Sequence, residues 1–152
     1  MEIRKKVDNI LSKVLVAIMA VMVINVLYQV FSRYVLGNPS SFTDELARYL
    51  MIWLGILGAA YVSGRNMHVS INVLPSKFDE KTQKKLKQLV SLLIVLFCIF
   101  ALVIGGIRLV YMTYVLEQYS PALRLPLAVV YLVIPISGLL IIFYKTSDML
   151  KS

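Results

Sequence analysis

The chain has 152 residues, 59% of them hydrophobic and 16% charged, with a mean hydropathy of +0.80. A soluble domain is roughly half apolar and about a quarter charged, so the surplus apolar surface belongs against lipid; soluble enzymes and nucleic-acid readers are disfavoured as classes. The net charge of +8 accordingly reads as a mark of membrane sidedness, and no nucleic-acid partner is expected.

A bilayer-crossing helix needs about 20 mostly apolar residues, and four stretches meet that length. The first, residues 14–34, reads VLVAIMAVMVINVLYQVFSRY behind Arg4, Lys5, Lys6 and Lys13. It is too long for a signal peptide and no small-residue cleavage site follows it, so it is read as a permanent helix. The second, residues 44–63, lies after the chain breakers Gly37 and Pro39. Ser40, Ser41 and Thr43 are its candidate caps, and Asp44 and Glu45 occupy a first turn where carboxylates suit the helix dipole. The third, residues 86–116, exceeds one crossing and must tilt or project into water. The fourth, residues 125–144, contains Pro135, which predicts a kink. The expected fold class is therefore all-α, a single four-helix integral membrane domain over residues 1–152.

Basic residues are retained on the cytoplasmic side. Arg4, Lys5, Lys6 and Lys13 in the N-terminal tail fall on one side with Arg65, Lys77, Lys81, Lys84, Lys85 and Lys87 in the second connection and Lys145 and Lys151 at the C-terminal end. Only Arg33, Arg48, Arg108 and Arg124 oppose them. Both termini are expected inside a bacterial or archaeal cytoplasmic membrane, with Tyr111, Tyr114 and Tyr119 forming an outer aromatic belt. In the long second connection, MHVSINVLP alternates in polarity and SKFDEKTQKKLKQL opens as a basic amphipathic helix. This segment is expected to meet anionic phospholipid, with His68, Lys84, Lys85 and Lys87 as the cytoplasmic interface.

Ion-coupled carriers keep an ionisable group near the bilayer centre, yet all eight carboxylates, Glu2, Asp8, Asp44, Glu45, Asp79, Glu80, Glu117 and Asp148, fall near or beyond span boundaries. Small multidrug exporters depend on a carboxylate within their first span, and none is present here. The lone His68 precludes a bis-histidine haem site within the chain, and the lone Cys98 precludes an internal disulfide. No catalytic, metal or cofactor site is read.

The polar residues inside the spans instead suit helix contacts. Asn25, Gln29 and Ser32 form one stripe on the first helix. Gly55 with Ala59, and Ala101 with Gly105, make small-x-x-x-small pairs that allow close helix approach. Asp44 and Glu45 precede Arg48 at ion-pair spacing and are placed with Arg33 and Arg124 in an outer-face charge cluster, used either locally or by a partner.

The run Phe42, Thr43, Asp44, Glu45, Leu46, Ala47, Arg48, Tyr49, then Trp53, Leu54, Gly55, then Gly58, Ala59, Ala60, closed by His68, Val69, Ser70, Ile71, resembles the small (Q, or DctQ-type) membrane subunit of tripartite ATP-independent periplasmic (TRAP) transporters. Ser120, Pro121, Ala122, Leu125, Pro126 and Tyr131, Ile134, Pro135 extend the likeness over about residues 29–138. The resemblance adds Trp53 and Gly58 to the expected contact residues. It implies a non-catalytic scaffold for a large elevator-type membrane subunit (M-type), a soluble periplasmic substrate-binding protein (P-type) that captures an organic acid, and sodium coupling residing in the large subunit. The alternatives are a self-sufficient small exporter and the membrane anchor of a respiratory complex.

Overall fold

The computed structural model describes residues 2–38, 40–65 and 80–149. Four helices long and apolar enough to cross a membrane run over Arg4–Tyr34, Ser41–Gly64, Gln88–Val115 and Leu127–Met149. The first belongs to α1 (Glu2–Tyr34) and the second is α2 (Ser41–Gly64). The third joins α3 (Glu80–Phe97), a π-helical segment (Cys98–Ile104) and α4 (Gly105–Val115); the fourth joins α5 (Leu127–Tyr131) and α6 (Val133–Met149). The first half of the expected amphipathic connection, with His68, lies outside the described residues.

Hydropathy places the first and fourth spans well but shortens them. The helical backbone continues into polar turns at both outer ends, beginning at Glu2 and finishing at Met149. The 33 residues of α1 extend to about 50 Å at 1.5 Å per residue, more than the ~30 Å of hydrocarbon.

The helices pack in the order first, second, fourth, third: α1 lies on α2, α2 on α6, and α6 on α3 and the π-helical segment, while α4 packs on α5. One core joins Leu11, Leu57 and Val133, with Leu15, Trp53 and Ile56 around them. A second joins Ala60, Cys98 and Ile141. The fourth span thus links the paired first and second spans to the third.

Three glycines set how closely the helices approach. A Cβ on Gly138 would stand 2.8 Å from Leu102 Cβ, one on Gly106 would stand 2.9 Å from Pro135 Cδ, and one on Gly64 would stand 2.8 Å from the Tyr144 ring. At Gly55 and Gly58, by contrast, an added Cβ meets nothing within 4 Å. Ala59, Ala101 and Gly105 are exposed, whereas their neighbours Ala60 and Gly106 are buried. Helical spacing marks small residues correctly, but a shift of one position turns a residue by about 100°; the in-chain seats are Ala60 and Gly106.

The fourth span is interrupted at Leu132, between α5 and α6. Pro135 lacks an N–H and cannot bond the carbonyl four residues back at Tyr131, so the irregularity appears upstream of the proline itself. The π-helical turn in the third span has no signal in composition. Leu102 and Val103 from that turn are the side chains pressed on Gly138.

Candidate functional site

The structure gathers polar side chains into two sets at opposite ends of the bundle. At the end holding the 35–40 and 116–126 connections, Gly37 turns the chain with a φ of 63°. Ser32 Oγ donates to the Asn38 carbonyl at 2.6 Å, closing that turn. Asn25 is buried and its Nδ2 donates to the Thr43 carbonyl at 2.7 Å, while Gln29 Nε2 donates to Asp44 Oδ1 at 3.1 Å. The stripe on α1 therefore bonds to the start of α2. Ser40 stands at the helix cap without a side-chain cap bond; Thr43 Oγ1 donates back to the Ser40 carbonyl at 2.9 Å.

Of the charged cluster, Asp44 pairs with Arg48 at 3.1 Å, both side chains more than half exposed. Glu45 does something else. Its Oε2 accepts from Ser120 Oγ, from the Ala122 amide at 3.0 Å and from the Leu123 amide at 3.2 Å. A carboxylate receiving backbone amides at a turn is a charge-assisted arrangement, and it fixes the 116–126 loop to α2. That loop also closes on itself: Ser120 N donates to Leu125 O, Arg124 N to Ser120 O and Leu127 N to Gln118 O, each at 2.9 Å. Glu117 and Arg124 adopt positive φ values of 46° and 51°, sparsely populated for non-glycine residues and held here by these bonds. Arg33 and Arg124 are exposed, and among the described residues neither forms an ion pair. Trp53 Nε1 donates to the Val130 carbonyl at 3.0 Å, next to the end of α5.

At the opposite end the first helix meets the last. Arg4 Nη1 bonds Asp148 Oδ1 at 2.5 Å, Arg4 Nη2 donates to the Gly64 carbonyl, and the guanidinium lies 5.5 Å from the Tyr144 ring centroid. Tyr144, fully buried, donates its hydroxyl to Asp8 Oδ1 at 2.5 Å. Ser63 Oγ and Asp148 Oδ2 are buried without a hydrogen bond, and Lys145, three residues before Asp148, is also buried. Composition missed this set because its members look like ordinary boundary charges. A signal was available: Arg4 and Asp8 are four apart on α1, and Tyr144 and Asp148 four apart on α6, so the two faces match in antiparallel register.

Lys84, Lys85 and Lys87 fall on α3 ahead of the third span, with Lys85 exposed. No acidic side chain among the described residues lies in the middle of a span: Asp8, Asp44, Glu45 and Asp148 sit in end turns. What these groups do chemically is lock helix ends together.

The profile of the family described as Tripartite ATP-independent periplasmic transporters, DctQ component, matches residues 22–152. A Haemophilus influenzae protein named a TRAP transporter small permease protein is 32% identical over 135 residues, 89% of this chain and 82% of that one. The sialic acid TRAP transporter small permease protein SiaQ of Vibrio cholerae is 32% identical over 84 residues, 55% of this chain and 49% of that one. The sialic acid TRAP transporter permease protein SiaT of another Haemophilus influenzae strain is 36% identical over 80 residues, 53% of this chain but only 13% of its own length. With four membrane-length helices and a match extending over most of its sequence, the chain belongs to the DctQ family, the small permease component of TRAP transporters.

Proposed function

We propose that this subunit is the fixed, non-catalytic brace of a sodium-coupled uptake system for an organic acid, holding a large membrane subunit that carries the substrate and receives it from a periplasmic binding protein. The observation carrying this reading is where the polar groups lie. They tie helix ends together at both membrane faces, and the span centres between them offer no carboxylate among the described residues for an ion or proton to visit. A molecule that must stay rigid while its partner moves is served by such end-locking.

The match to SiaT supports a large-subunit partner, since the matched segment is a small fraction of a much longer permease chain. The basic tails and the start of α3 support an orientation with both helix termini of the bundle inside, Glu45 and its loop outside. Reconstitution in liposomes tests the reading. The chain alone is expected to move no organic acid under a sodium gradient, and addition of the large subunit and binding protein is expected to start uptake. Transport by this chain alone would restore the small-exporter reading, and a haem band in the purified chain would restore the respiratory anchor.

A further inference from the structure

The irregular stretches of the third and fourth spans lie against each other. The π-helical turn, Cys98–Ile104, presses Leu102 and Val103 onto Gly138. Two residues past that turn, Gly106 stands against Pro135 and Ile134, where an added Cβ would come within 2.9 Å of Pro135 Cδ and 3.0 Å of Ile134 Cγ2. The break at Leu132 lies three residues before Pro135. A π turn replaces the usual helical bonds with longer-ranged ones and a proline deletes one, so each marks a place where a helix bends. A bend in one helix alone would shear it past its neighbour. Two bends at matching positions let both helices turn together.

Beyond this layer the outer parts of the two spans form a unit of their own. α4 packs on α5 more than either packs on α6. Their connection is stitched by the bridge between Tyr119 and Pro126 and by Gln118 N, which donates to Thr113 O at 3.1 Å. Two polar side-chain contacts from α2 hold this hairpin. Glu45 receives Ser120, Ala122 and Leu123 at its tip, and Trp53 Nε1 donates to Val130 O, two residues before the break. The tip also carries Glu117 and Arg124 at positive φ, conformations that persist where surrounding contacts over-determine them.

We propose that the π-helical turn and the break at Leu132 form one hinge, about which the outer hairpin, residues 105–131, swings as a body, and that Glu45 is the latch holding it against α2, with Trp53 a pin beside the hinge. This goes beyond the brace reading: α1, α2 and the inner parts of the other spans stay fixed, and the outer end gains one movable part. From Gly106 to Val115 α4 rises about 14 Å. A swing of about 20°, the onset of a sharp helix kink, therefore displaces the tip by about 5 Å.

The test measures distances between spin labels on the full chain in nanodiscs, with Cys98→Ala in every protein. The outer pair is Tyr34→Cys with Gln118→Cys, and the inner reference pair is Asn9→Cys with Lys85→Cys, all at exposed positions. With both contacts from α2 intact, each pair is expected to give a single narrow distance. Glu45→Ala combined with Trp53→Phe is expected to add a second outer population displaced by about 5 Å, leaving the inner pair unchanged. Adding Pro135→Ala restores an N–H for the Tyr131 carbonyl and is expected to shrink that population about twofold. Glu45→Ala alone, the milder variant, guards against loss of folding in the double variant and is expected to give the same displacement at lower occupancy. An outer distance that stays single in both unlatched proteins overturns the proposal. So does a spread that widens both pairs alike, or one that survives Pro135→Ala undiminished.

Discussion

Replacing Gly138 with Ala separates the in-chain packing seats from the small residues that face outward. The new methyl carbon would lie 2.8 Å from Leu102 Cβ and 3.1 Å from Val103 Cγ2, both well inside carbon–carbon contact distance. Leu102 and Val103 belong to the π-helical turn, so relief requires moving backbone and not just a flexible side-chain tip. Overpacking of this kind costs about 1–3 kcal/mol, against a helix-propensity benefit of up to ~1 kcal/mol for Gly to Ala. The net expectation is a loss of about 1–2 kcal/mol. Gly55→Ala has the same propensity benefit, and an added Cβ there meets nothing within 4 Å, so it is expected to be neutral or to stabilise by up to ~1 kcal/mol. Equilibrium unfolding of the isolated subunit in mixed micelles measures both. If Gly55→Ala destabilises the isolated chain as much as Gly138→Ala, the assignment of Gly138 as a packing seat is refuted.

Three other predictions test the end clusters. Tyr144→Phe keeps the ring against Gly64 but leaves Asp8 without its hydroxyl donor; hydrogen bonds to charged groups contribute about 1.5–3 kcal/mol, and the same unfolding measurement should show a loss of that order. Arg4→Gln and Asp148→Asn should be non-additive, with a coupling above about 0.5 kcal/mol in a double-mutant cycle; simple additivity would argue that their 2.5 Å contact has no energetic role. Glu45→Gln withdraws the charged acceptor from Ser120, Ala122 and Leu123. Hydrogen exchange at the Ala122 and Leu123 amides should rise, while Arg124→Ala leaves it unchanged.

The existence and order of the four helices were legible because the length of an apolar run is a direct physical requirement of the bilayer. The α1 stripe was also legible as a polar contact, since Asn25, Gln29 and Ser32 repeat at helical spacing. Glu45 was harder. Its spacing to Arg48 suggested an ion pair, but its partners come from a loop 75 to 78 residues away, and local pattern carries no such distance. The glycines illustrate the same boundary: periodicity identifies candidates along one helix, while the identity of the opposing helix decides which face is close. Arg4 counts toward sidedness and Asp8 only as a carboxylate near a span boundary, statements about charge alone, although their register with Tyr144 and Asp148 is already written in the numbering.

The join between Arg4 and Asp148 links positions 144 residues apart. During synthesis, therefore, α1 emerges with a guanidinium and a carboxylate whose counterparts do not yet exist, and it acquires them only when the fourth span threads into the bilayer. An interrupted or C-terminally clipped polypeptide displays those orphaned charges at the membrane face, a chemical flag by which unfinished subunits differ from completed ones before any partner has met them.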